Sequence, residues 1–160
     1  MRDTLFGLAY ASDQAAALTG PAYLEHILEI LLQASFRTLT ADEKQRMFDG
    51  SSNGILGTMS SKIRVAFAMR LIEKEIYDDL KLINDIRNVF AHTLHEINFS
   101  HDLVKQDCEN LKSYKPNGIA NRPKDSKEKY IYTIINAYFS IRATVNKFTM
   151  AKALRNEPEA

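Results

Sequence analysis

Apolar residues recur at spacings of three and four along almost the whole chain, and no segment alternates convincingly with period two. That pattern argues against strands and predicts helix nearly throughout. The clearest case is 127–154, where Ile131, Ile134, Ile135, Tyr138, Ile141, Val145 and Phe148 form one long apolar stripe, read as core. A second stripe, Leu24, Ile27, Leu28, Leu31 and Ser35 widened by Ile30 and Leu32, predicts a helix over 22–37. An alanine-rich helix is expected over 3–18, stopping at Gly20-Pro21, because both residues interrupt helix and proline fits the first turn of the next one.

Further along, Thr40 and Glu43 have the spacing of a capping box, in which each side chain bonds the other's backbone N–H. Residues 49–57 hold three glycines but no Gly-Lys-Ser/Thr ending, so they read as a loop and not a phosphate cradle. Helices follow over 60–70 and from 73 to about 92. Another is expected through 111 with Ser100 as its cap, before a turn-rich loop over 114–126. The sum is an all-α, single-domain bundle of six to seven helices spanning 1–160.

Charge and composition narrow the function. The chain has 26% charged residues and a formal net charge of only +1, unevenly spread. Residues 1–100 carry ten Lys/Arg against thirteen Asp/Glu, and residues 101–160 carry eleven against seven. The basic excess around 112–129 is milder than a dedicated nucleic-acid footprint. Tyr114, Tyr130 and Tyr132 beside lysines could stack on RNA bases, but such residues more often pack, and they are read as amphipathic packing residues. Cys108, the one cysteine, reads as a small buried hydrophobe. His92, His95 and His101 lack metal-ligand spacing, and Ser51, Ser52, Ser60 and Ser61 lack a nucleophile motif, so no metal and no cofactor are expected. The amino-terminal residues lack the apolar core of a signal peptide, and no run is long enough to span a bilayer, which predicts a cytoplasmic protein with no membrane partner.

The most telling stretch is IRNVFAH, 86–92. With Ile76, Leu80, Ile83, Phe90 and Ala91 taken as an apolar stripe, Arg87 falls inside it, while Asn84, Asn88 and His92 form a polar ridge. A guanidinium facing a core needs a carboxylate, so the pattern predicts a buried clamp of Arg87 on Glu25 or Glu29, with a cost of about 3–5 kcal/mol for its removal. A catalytic use faces a geometric obstacle. Arg87 and His92 lie about 140° apart around a straight helix, so one copy does not aim both at one phosphate.

Arg87-Asn88-x-x-x-His92 resembles the Arg-polar-x-x-x-His motif of the HEPN superfamily, small α-helical bundles that include metal-independent, dimeric endoribonucleases. A longer resemblance runs over about 20–95. The residues that carry it are Tyr23-Leu24-Glu25, the loop 49–57, Ser61-Lys62-Ile63, Ala66-Phe67-Ala68, Leu71-Ile72, Tyr77-x-x-Leu80 and Ile86-Arg87-Asn88-x-Phe90-Ala91-His92. They are similar to the mannitol operon repressor family. That resemblance implies a non-enzymatic regulator of transcription of carbohydrate-uptake genes. With no helix-turn-helix carrying a basic recognition helix, such a regulator is expected to act mainly through a protein partner and not by reading DNA. The alternative implied by the shorter motif is an endoribonuclease acting on RNA through Arg87, Asn88 and His92. Tyr138 and Phe139, beside the stripe of the last helix, add apolar surface and suggest a symmetric homodimer.

Overall fold

The computed structural model describes residues 5, 7–51, 54–93, 97–114 and 123–155 of the 160. Among these, a 3₁₀ turn at Leu8–Tyr10 precedes six α-helices: α1 Asp13–Ser35, α2 Ala41–Phe48, α3 Met59–Ala68, α4 Lys74–His92, α5 Asp102–Asn110 and α6 Ser126–Arg155. No described residue is in a strand, as the periodicity predicts. Helix α1 is the hub. It packs most extensively on α6 and then on α4 and α3, while α4 also meets α3, α5 and α6.

The expected break at Gly20-Pro21 does not occur. Helix α1 begins at Asp13, with the Ser12 side chain accepting from the Ala15 N–H, and continues through Pro21 to Ser35. Two tertiary contacts explain this. Proline has no N–H, so the carbonyl four residues back loses its helical partner. The buried Tyr130 hydroxyl of α6 donates to that carbonyl, Ala17 O, at 3.2 Å. At Gly20 an added Cβ would stand 2.6 Å from Ile134 Cδ1, so the missing side chain is what lets α6 approach. Of the stripe beyond the proline, Leu24, Ile27, Leu28, Leu31 and Leu32 are buried, while Ile30 and Ser35 at its edges are half-buried.

The remaining ends follow local chemistry. The capping box of Thr40 and Glu43 forms at the start of α2, and Thr58 with Ser61 makes a second one at the start of α3. Helix α3 ends in a turn where the Leu71 N–H reaches Ala66 O and Arg70 takes a left-handed φ of 57°. Ser100 is not a helix cap. His101 occupies that position without a side-chain bond, and the Ser100 N–H instead bonds the Asn98 side chain. At the start of α6 the Asp125 carboxylate accepts from the Glu128 N–H. The inner face of α6 is built on Tyr130, Ile131, Ile134, Ala137, Tyr138, Ile141 and Val145, all buried.

Candidate functional site

Helix α4 buries Ile76, Asp79, Leu80, Ile83, Ile86 and Phe90. This face is turned toward Asp79 and Ile86, which leaves Arg87 and Ala91 on its margin, and both are exposed. The expected clamp is therefore replaced by another arrangement. One Arg87 guanidinium nitrogen donates to Asn88 Oδ1 at 3.1 Å, and among the described residues no carboxylate pairs with it. A long side chain at the margin of a stripe can keep its stem on apolar surface and its charge in water, which avoids the desolvation cost. His92 is the last residue of α4 and is exposed. It is still helical, so the offset of about 140° from Arg87 stands.

Glu25 and Glu29 are held by a different cation. Lys62 of α3 places its ammonium 3.0 Å from Glu25 Oε1 and 3.2 Å from Glu29 Oε2, with its side chain only 4% exposed. The Gln33 amide donates to the other Glu29 oxygen at 3.2 Å. Carboxylates at i and i+4 form a fork for a point charge, and Lys62 reaches it from the face of α3 that carries Met59, Ile63 and Ala66. A legible signal existed for this residue: Lys62 sits three residues from Met59 and four from Ala66, inside the α3 stripe.

Among the described residues, Asp79 is the other buried charged side chain. Its two oxygens accept from the Lys112 N–H at 2.9 Å and the Ser113 N–H at 2.7 Å. The Asn136 amide then donates to Ser113 O at 2.6 Å, so α4 and α6 together hold the segment leaving α5. Like Lys62, Asp79 lies inside an apolar stripe, between Ile76 and Ile83.

The other candidates resolve as packing. Cys108 is buried, and desolvation, with the neighbouring Asp107 charge adding to it, pushes its thiol up to about 12, which makes it a poor nucleophile. Tyr130 is enclosed between Phe99 and α1, with burial raising its hydroxyl well above the ordinary range. Tyr132 donates to Glu128, and Tyr114 lies under the Lys129 ammonium at 4.7 Å from the ring centre. Among the described residues no three His, Cys, Asp or Glu side chains are grouped to hold a metal. His95 lies outside the described residues. Clefts open beside Phe36 and Met47, beside Tyr114 and Pro123, and beside Phe99 and Ser100, and Arg87 and His92 line none of these. No described helix is long and apolar enough to cross a membrane.

Comparison with known proteins places this bundle. The X-ray structure of the MtlR–HPr complex from Escherichia coli contains a chain with the same fold, at a TM-score of 0.61 and 19% identity, covering 92% of this chain and 97% of that one. A comparison with curated proteins gives no match. The mannitol repressor (MtlR) family model matches residues 23–154, reaching well past residue 95 into the last turns of α6. The chain belongs to the mannitol repressor family.

Proposed function

We propose that this chain is a non-enzymatic regulator that acts in the cytoplasm on transcription of carbohydrate-uptake genes, mainly through a protein partner. The observation that carries this reading is the family match over 23–154. The partner is suggested by the solved relative, which is held in a complex with HPr, a second protein. Association with HPr or a close equivalent is accordingly the expected activity of this chain. Titration of the purified chain with HPr from the same source tests it. Saturable binding is the expected result, with no comparable affinity for operator DNA at physiological salt. Tight DNA binding and no response to HPr would replace this reading with direct repression.

A second reading draws support from the exposure of Arg87 and His92. With no carboxylate on Arg87 among the described residues, most of its donor fork is free to meet a phosphate. In this endoribonuclease reading His92 is the general acid or base for attack by a ribose 2′-hydroxyl. Arg87 stabilises charge on the phosphoryl oxygens and Asn88 orients them. The offset between Arg87 and His92 then requires a homodimer that brings two motifs together. Mixed RNA incubated with the protein in EDTA should be cleaved, and His92→Ala should lower the rate by about 10²-fold or more. Intact RNA would leave the motif a surface feature.

A further inference from the structure

Helix α6 has a second face that the bundle does not use. Opposite its buried stripe, Phe139, Ala143, Asn146, Met150 and Leu154 follow at gaps of four, three, four and four, all within about 80° of arc. All five are exposed: Phe139 at 43%, Met150 at 69% and Leu154 at 70%. Val145 is the last described residue of α6 to be fully buried. Beyond it Phe148 packs partly against the core and Lys152 donates to Phe36 O at 2.9 Å, while Met150 and Leu154 face away from that side. A helix with apolar residues on both faces is normally covered on both.

Charge decides what can cover it. From Lys129 to Arg155 the sequence carries five Lys/Arg and no Asp/Glu. Arg142 and Lys147 flank the outer stripe on its two sides, and both are exposed. A second copy paired along this face would set cation against cation, so the expected homodimer is disfavoured through α6. An anionic membrane suits the charge but not the centre of the stripe, where Asn146 would enter the acyl boundary. An apolar seam with one asparagine in it and charges on both flanks is the arrangement by which helices select partner helices.

We infer that the outer face of α6 is a docking surface for an acidic amphipathic helix of a partner protein, seated on Phe139, Met150 and Leu154 with its carboxylates on Arg142 and Lys147. The inference rests on the apolarity and charge of α6 alone and does not require the regulatory reading. The test uses the full chain and two fluorescent helical peptides of about four heptads, each with a leucine seam, one flanked by glutamate and the other by lysine. Anisotropy should show binding of the glutamate peptide only, weakening as salt rises. The double variants Met150→Ser/Leu154→Ser and Arg142→Glu/Lys147→Glu should each weaken it about tenfold or more, because they remove an anchor or reverse a flank. All four positions are exposed, so thermal unfolding of both variants should match the parent chain. Four results would overturn the assignment. One is failure to bind the glutamate peptide, and another is binding that neither variant alters. The third is a dimer in sedimentation that Met150→Ser/Leu154→Ser dissolves, which would make a second copy the occupant. The fourth is tighter binding to vesicles rich in phosphatidylserine, with the same sensitivity to both variants.

Discussion

Among the described residues, Lys62 and Asp79 are the charged side chains that the bundle buries, and each is matched to partners in place of water. Truncating one member of a buried pair strands the rest, with a cost of about 3–5 kcal/mol. Glu25 and Glu29 keep 30% and 32% of their side-chain surface in water, so Lys62→Ala falls at the lower end, about 3 kcal/mol by urea unfolding. Arg87→Ala, at an exposed position with no ion pair among the described residues, should change stability by less than about 0.5 kcal/mol. A large loss at Arg87 with none at Lys62 would refute this assignment of roles. The sequence showed a cation in each of two stripes but not which one the core encloses. That depends on how each helix is rotated against α1, a property of the assembled bundle. Arg70 offers a separate test. Its φ of 57° is strained for any residue with a side chain, and glycine usually holds this place at a helix end. Arg70→Gly should therefore stabilise the protein by about 0.5–1 kcal/mol, seen as a raised unfolding midpoint. An unchanged or lowered midpoint would mean that its side chain makes an offsetting contact.

At the scale of elements, α1 shows why local reading stops short. Gly20-Pro21 is a sound helix terminator by itself, and the centre of the stripe after it was legible, though Ile30 and Ser35 are only half-buried. What the sequence could not display is that Tyr130, more than a hundred residues later, supplies the hydrogen bond that proline removes. The capping box at Thr40 was legible because all its parts lie within four residues. The bond from Tyr130 also predicts a coupling. Tyr130→Phe leaves Ala17 O without this donor and should cost about 1–2 kcal/mol. In a Pro21→Ala background the restored N–H at position 21 can reach Ala17 O, so the same change should cost distinctly less. A double-mutant cycle measures the difference, and a coupling near zero would show that the hydroxyl does not stand in for the missing N–H.

At the scale of the whole molecule, stability is unevenly distributed. Nine buried residues fix α1 against three other helices, whereas α2 buries only Phe48 and touches its neighbours marginally. Helix α2 is kept in shape mostly by local means: the Thr40–Glu43 box, the Arg37–Glu43 pair and the Asp42–Arg46 pair, all at the surface. Bonds of that kind close and open without disturbing the core, so α2 should open as its own unit. Hydrogen exchange should give the Lys44 amide, bonded to Thr40 O, an opening free energy at least roughly 2 kcal/mol below that of the Leu28 and Leu31 amides. Lys62→Ala distinguishes the two classes further, because it weakens the joint between α1 and α3 and leaves α2 untouched. The α1 amides should lose the full unfolding penalty of that substitution while those of α2 stay where they were. If α2 amides instead share the α1 value and fall with it, the bundle unfolds as one unit, and the surface bonds of α2 are coupled to the core.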